Sequence, residues 1–202
     1  DTWTETLTAS HFSAASITLS TTARCYAVTF ANQLVVSDGT NTPWAWDGTS
    51  GGGLTKLTNA PVAYGPPWVY YSKLMFLKAA ERDTFVWSEE GQPNTGYEAG
   101  GYKHAWSVTQ TSSDPFFVGA ATNSGIYLFR RQGITVIEGA VTDQFSTSGT
   151  RDGIAENTGC VSPAGVQVWD GAVYFVGSDR RLYRIRGRVL EEVGKVHRNI
   201  LF

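Results

Sequence analysis

The stretch VQVWDGAVYFVGSDRRLYRIRGRVLEEV (Val166–Val193) decides the fold. Short apolar runs alternate with turn residues along it, first at Asp170-Gly171, then at Ser178-Asp179 and at Gly187. An Asp-Gly pair between two alternating runs is a strong hairpin signal, because both central residues of a type I′ turn need positive φ. The stretch therefore predicts an antiparallel meander of three or four strands.

Three earlier segments repeat this order of apolar strand, polar turn and aromatic strand, namely Ala27–Leu57, Trp68–Glu89 and Phe116–Gly139. Asp38-Gly39 and Asp47-Gly48 predict two further hairpin turns in the first of them. The strands follow one another every 8–12 residues or so, which leaves no room for crossover helices. Parallel α/β folds are thereby excluded.

A three- or four-stranded meander cannot cover both of its own faces, and radial packing against neighbouring meanders covers them. We therefore predict one all-β domain over 1–202, a β-propeller with about four or five blades in a complete or partial ring. The blades span 26–196, after an N-terminal strand or extension at 1–25, and 140–158 forms a long loop. A β-sandwich is the structural alternative.

The composition agrees with a β protein that needs no disulfide or metal to stabilise its core. The 202 residues include 22 Gly and 7 Trp, only 17% are charged, and the formal net charge of −2 gives no global attraction for nucleic acid. The distant Cys25 and Cys160 predict two buried thiols rather than a disulfide framework. No run of eighteen apolar residues occurs, so no membrane span is predicted.

Residue types that carry chemistry are present without the spacing that enzymes use. His11, His104 and His197 have no second ligand at metal-site spacing, and we interpret them as surface or loop residues. Glu89 and Glu90 follow an aromatic strand, but adjacent strand residues point to opposite faces and cannot flank one glycosidic bond. The sequence thus predicts a non-enzymatic protein with no catalytic residue, metal site or cofactor.

Two further groups have a structural and a functional interpretation. Asp38, Asn41 and Asp47 are oxygen donors for Ca²⁺ in principle, but Asx turns explain them more simply. Six tryptophans can stack on sugar rings or bases, yet their place in strands favours core packing. They are Trp44, Trp46, Trp68, Trp87, Trp106 and Trp169.

The densest charge cluster lies in the last predicted blade, where Arg180-Arg181 precedes Arg184, Arg186 and Arg188. Strand alternation places Arg184, Arg186 and Arg188 on one face, opposite Tyr183 and Ile185. A solvated face is the simpler interpretation. The functional one is an interaction face for an acidic protein or for DNA that passes through a channel.

Three stretches resemble a family of bacteriophage virion proteins: the propeller-containing tail nozzle, tail-tubular and packaged-DNA-stabilisation proteins. VWSEEGQP (86–93) resembles their strand–Ser–acidic–Gly–Pro corner, with Gln92 where an acidic residue is usual, and YLFRRQGITVIEG (127–139) resembles one of their blades. GCVSP (159–163), followed by VYFV (173–176) and LYRIRG (182–187), resembles a segment near the end of that propeller. Arg180-Arg181 departs from the Gly that often precedes the Tyr there.

The resemblance implies a structural subunit of a phage tail or neck, assembled into virions in the host cytoplasm. Such a subunit forms a homo-oligomeric ring with other tail, neck or portal-associated proteins, extends or seals the DNA channel, and contacts DNA without sequence specificity. No catalytic residue carries over. The alternative function is a carbohydrate- or receptor-binding propeller, lectin-like or glycosidase-like, at the tail tip.

Overall fold

A computed structural model of the chain describes residues 9–49, 53–98, 104–108, 114–139, 151–155 and 157–193. Within these residues the fold is all-β, with four open antiparallel sheets, one short α-helix, one short 3-10 helix and no closed barrel. The chain divides into two compact units, Asp1–Val108 and Thr109–Phe202, with two sheets in each. The all-β prediction is confirmed, whereas the single-domain organisation stays a prediction.

Each sheet is a meander whose strands follow one another in sequence order. The first sheet contains β1 (Tyr26–Phe30), β2 (Gln33–Ser37), β3 (Trp44–Trp46) and β4 (Leu54–Lys56). The second contains β5 (Ala63–Tyr70), β6 (Lys73–Lys78), β7 (Thr84–Glu89), β8 (Gln92–Gly96) and β9 (Ala105–Ser107), with β8 and β9 both paired to β7.

The second unit repeats this plan. Its third sheet contains β10 (Val118–Thr122), β11 (Gly125–Phe129), β12 (Ile134–Ile137) and β13 (Arg151–Ala155). The fourth contains β14 (Val166–Trp169), β15 (Ala172–Val176), β16 (Leu182–Arg186) and β17 (Val189–Val193). A short 3-10 helix, Pro163–Gly165, leads into β14 and is capped by the Ser162 side chain.

The two sheets of the first unit share one apolar core. Val35 and Ala45 of the first sheet belong to the same buried cluster as Leu74, Phe76 and Val86 of the second. Alternation along each strand puts these residues on facing sides of the two sheets. The Ser37 hydroxyl adds a buried hydrogen bond to the Gly65 carbonyl across the pair, 3.1 Å long.

A segment that begins with helix α1 (Ala9–Ala14) covers the opposite face of the first sheet. Phe12 meets Trp44 edge-on, with ring centroids 5.1 Å apart, and Ile17 is buried against Val36 and Trp44. The segment is fastened where the Ser20 amide donates to Asp38, 2.8 Å away. We call residues 9–20 the strap. It lies in the range where the sequence predicts a strand or extension.

The sheets of the second unit are joined by packing of aromatic rings and by a backbone hydrogen bond between Cys160 and Arg130, which we call the latch. Phe129 and Phe175 pack with centroids 5.1 Å apart. The Cys160 amide donates to the Arg130 carbonyl at 2.9 Å, and a Cβ on Gly159 would lie 2.0 Å from that oxygen. Only glycine allows this approach, which explains the Gly-Cys pair that opens the GCVSP stretch.

Only one of the three Asp-Gly hairpin predictions is confirmed. Asp170-Gly171 joins β14 to β15 with φ of 48° and 66°, as a type I′ turn requires. Asp38 and Asp47 lie in the longer connections 38–43 and 47–53, where each accepts a hydrogen bond from the amide two residues on. This Asx geometry favours a local turn over a hairpin.

Two other tight hairpins use residues that give weaker turn signals. Ala31-Asn32 joins β1 to β2 and Tyr71-Ser72 joins β5 to β6, all four with positive φ. The structure also places β13 inside the predicted loop 140–158, paired with β12. Cys160 is buried, as predicted, but Cys25 is exposed, because it precedes β1 and lies outside the sheet.

Gly159→Ala tests the latch. The added methyl group meets backbone atoms of Arg130 and Arg131 that cannot move without breaking the Cys160 hydrogen bond, so we expect a loss of about 2 kcal/mol or more in unfolding free energy. Gly165→Ala is the matched control, because its Cβ would make an ordinary 3.6 Å contact with the Cys160 sulfur. Urea denaturation of both variants measures the difference, and equal stability would show that the latch is not tight.

Candidate interaction face

The fourth sheet has one buried face and one exposed face. Phe175, Tyr183 and Ile185 point to the buried side, and the residues between them in sequence point to the other. We call the exposed side the open face. The cross-strand register assigns it Gln167, Trp169, Ala172, Tyr174, Val176, Leu182, Arg184, Arg186, Val189, Glu191 and Val193.

Apolar side chains form much of the open face. Trp169 is 69% exposed, Val189 58% and Leu182 38%. The Trp169 ring packs against Tyr174, with centroids 6.1 Å apart, as diagonal neighbours on one sheet face do. Three of the eight large apolar side chains that are exposed among the described residues lie on the open face, whereas Val168 of the same sheet lies on its other face. Exposed apolar area concentrated in this way marks binding surfaces.

The exposure of Trp169 corrects the prediction that the tryptophans pack in the core. Trp44, Trp68 and Trp87 are buried as predicted, and Trp46 and Trp106 are half-buried. Trp169 differs because β14 is the edge strand of a sheet whose outer side is not covered. The exposure of Trp169 could have been predicted from the two-residue turn that follows it. This turn places Trp169 opposite Ala172, and therefore on the same sheet face as Tyr174.

Arg184 and Arg186 lie on the open face, and each is paired with a carboxylate. Arg184 stands directly across from Glu191 and donates to it through Nε, at 3.2 Å, and through Nη2. The hydrogen bond to Glu191 raises the pKa of the Arg184 guanidinium above its usual value. Arg186 Nη2 donates to the Asp170 carbonyl at 3.2 Å and to its carboxylate at 3.3 Å.

Arg188 does not share this face. It lies in the turn between β16 and β17 and donates twice to Glu138 of the neighbouring sheet, through Nε at 2.9 Å and Nη2 at 2.8 Å. This two-pronged contact lowers the pKa of the Glu138 carboxyl. The structure therefore separates the three predicted arginines into two that face outward and one that ties two sheets together.

The charges of the open face cancel. Arg184 and Arg186 are matched by Glu191 and Asp170, and nearby Arg181 is paired with Glu192 and Asp179. A surface that binds DNA through its phosphates carries an excess of positive charge. The paired arginines therefore favour a neutral partner over nucleic acid, and an interaction role for the face stays a prediction.

His104 lies outside the strands, as a loop histidine does, but it is buried rather than at the surface. Its ring is 2% exposed and stacks on Trp87, with centroids 5.6 Å apart and planes 12° from parallel. Its Nε2 lies 3.7 Å from a carboxylate oxygen of Glu89. The sequence missed this site because β9 pairs with β7 across a long connection that no local pattern reports. His11 is half-buried in the strap, and His197 lies outside the described residues.

Asp38 shows the turn chemistry that the sequence favours over a calcium site. Burial alone would raise the pKa of its carboxyl, but hydrogen bonds from Asn41, Thr40 and Ser20 outweigh burial and lower the pKa. Asp47 accepts from the Thr49 amide at 2.8 Å in the next connection. In the described ranges, no three His, Cys, Asp or Glu side chains are grouped closely enough to hold a metal ion.

No protein-family model matches the chain, and no curated protein is significantly similar to it. In the part of the chain that the structure describes, no helix has the length and apolar character that a membrane crossing requires.

The Arg188–Glu138 contact is testable by a double-mutant cycle with Arg188→Met and Glu138→Gln. We expect a coupling energy of at most about 1 kcal/mol at neutral pH, because the pair is partly exposed to solvent. Since the pKa of Glu138 is lowered, the coupling is present at neutral pH and is lost as acid protonates this carboxylate. The more exposed Arg186–Asp170 pair is the control. A larger coupling energy in that pair would contradict the role of Arg188 and Glu138 in joining the two sheets.

Proposed function

We propose that the chain is a non-enzymatic structural protein of a bacteriophage tail or neck, built from propeller blades, that forms a ring with other subunits and extends or seals the DNA channel. The observation that carries the proposal is a repeated architecture. Four consecutive sheets each follow strand order one to four, and within each unit the first strands of the two sheets lie side by side. β1 lies against β5 in this way, and β10 against β14.

The burial pattern favours propeller blades over a two-sheet sandwich. In a sandwich each sheet turns one face to solvent, and its strands alternate between buried and exposed residues. The strands β6, β7, β11 and β12 are instead buried almost throughout, on both faces. Blades inside a radial array have two covered faces, so this pattern supports the propeller.

The virion role is supported by the resemblance of three stretches to phage tail and neck proteins. In this chain the stretch 127–139 forms most of β11 and all of β12, and two other stretches form connections between strands. VWSEEGQP makes the β7–β8 corner, and GCVSP makes the latch between the third and fourth sheets. Such residues serve the packing of one blade on the next, which fits a protein that acts through its shape.

A carbohydrate- or receptor-binding function is the second candidate, because the exposed Trp169 and the half-buried Tyr174 form an aromatic pair of the kind that stacks on sugar rings. Cleavage of a sugar is less well supported. Glu89 ends β7 beside His104, while Glu90 is exposed in the turn that follows, and neither position matches two carboxylates that flank one bond.

We expect the purified chain to release no reducing sugar from a panel of bacterial polysaccharides, because Glu89 and Glu90 lack the paired geometry. Glu89→Gln and Glu90→Gln serve as the matched pair of variants. Turnover by the native chain that either substitution abolishes would contradict the structural role. Binding of a polysaccharide without turnover, lost in Trp169→Ala, would favour the receptor-binding candidate.

The virion role predicts that the chain is a stoichiometric part of particles. Quantitative mass spectrometry of gradient-purified phage that encodes the chain should find it in several copies per particle, as ring symmetry requires. A host protein of similar abundance in the lysate controls for carry-over. A chain that stays in the lysate and is depleted from particles would contradict the proposal.

A further inference from the structure

No residue that the structure describes covers the open face of the fourth sheet. We infer that this face binds the open face of a second copy of this chain in a two-fold symmetric contact. The inference deepens the assembly role proposed above and rests on it in one respect, that the chain acts by contact with copies of itself. It names the surface, the partner and the symmetry of that contact.

Apolar content is the first reason for a sheet-like partner. Trp169, Val189 and Leu182 are exposed together with the half-buried Tyr174, Val176 and Val193. Within each unit, faces of similar composition are covered by the neighbouring sheet. A flat, apolar β-surface is best covered by another such surface, because interdigitating side chains exclude water over the whole contact.

The arrangement of charges is the second reason, and it favours the same face of a second copy as the partner. Arg184 of β16 and Glu191 of β17 stand side by side on each copy. A two-fold axis that passes between these two residues brings the arginine of one copy toward the glutamate of the other. The face is neutral as a whole, so two copies meet without net repulsion and an acidic or basic partner gains nothing.

The strap gives the third reason, because it argues against a head-to-tail contact. A copy that added its open face to the first sheet of the next copy would need the outer side of β2 and β3. There Val36 and Trp44 are already covered by Phe12 and Ile17. The open face therefore contacts the same face of a second copy, and this contact joins two copies and no more. A ring would be built from such pairs through other surfaces.

The size of the face sets the strength of the pair. One strand of four residues and three of five cover about 19 Å by 17 Å, from the usual strand spacing and rise. Two such faces together present about 650 Å² to the contact, well below the roughly 1,200 Å² of accessible surface that stable specific interfaces bury. We therefore expect a pair that forms at high protein concentration and dissociates on dilution.

Sedimentation equilibrium of the purified chain over a wide concentration range tests the inference, with Leu182→Glu and Leu34→Glu as a matched pair. Both leucines lie in strands and are 38% exposed, but only Leu182 is on the open face. We expect a monomer–dimer equilibrium for the native chain and for Leu34→Glu. In Leu182→Glu the dissociation constant should rise by about tenfold or more.

A second pair of variants guards against misfolding of the first. Trp169→Gln should weaken the pair, whereas Tyr71→Gln, at another exposed aromatic residue in the β5–β6 turn, should not. Circular dichroism verifies the fold of all four variants. Arg184→Glu should also weaken the pair, and the exchange Arg184→Glu with Glu191→Arg should restore it.

Three results would overturn the inference. A native chain that stays monomeric at the highest concentration has no self-contact of this kind. Equal loss of pairing in Leu34→Glu and Leu182→Glu would show a head-to-tail contact. Pairing that is insensitive to both Leu182→Glu and Trp169→Gln would place it elsewhere. None of these results bears on the presence of the chain in particles, so failure of the face and failure of the virion role are distinguishable.

Discussion

A four-stranded meander has two faces, and each apolar face must be covered. Burial of apolar surface stabilises a fold by about 25 cal/mol for every Å² removed from water, and this free energy is lost where a face stays exposed. The structure of this chain follows from that requirement. Facing sides of the first and second sheets share one core, and the third and fourth sheets meet through Phe129 and Phe175. On the first sheet, the strap covers the remaining apolar side, where Val36 and Trp44 lie. The open face of β14–β17 retains its exposed Trp169, Leu182 and Val189. The interaction proposed for that face rests on the same requirement as the fold.

Local patterns predicted the sheets well where the turn chemistry is local. The fourth sheet spans Val166–Val193, the bounds that its alternation and its Asp-Gly turn indicate. Turns set by tertiary structure were not predictable in this way. Tyr71 and Ser72 both have positive φ, although neither residue type signals it, because the pairing of β5 with β6 leaves two residues to reverse the chain. β13 escaped prediction because its sequence, Arg-Asp-Gly-Ile-Ala, has the composition of a loop, and its pairing with β12 decides its conformation.

The candidate site was predictable in part for a similar reason. Strand alternation was enough to place Arg184 and Arg186 opposite Tyr183 and Ile185. It could not show that Glu191 and Asp170 neutralise them, since those contacts depend on the register of β17 and on the β14–β15 turn. The same register brings Trp169 next to Tyr174 and turns a basic strand into a neutral, apolar surface. Because carboxylates of the same sheet neutralise Arg184 and Arg186, we expect the face to bind another β-surface rather than an acidic molecule.

An electron cryomicroscopy map of the assembly that contains this chain tests the central claim, that its sheets are blades of a structural ring. We expect a symmetric ring in the tail or neck of the particle, with the first strand of each sheet nearest the axis of its propeller. A map that shows the chain outside any ring, or its sheets as separate two-layer sandwiches with solvent on both outer sides, would contradict it.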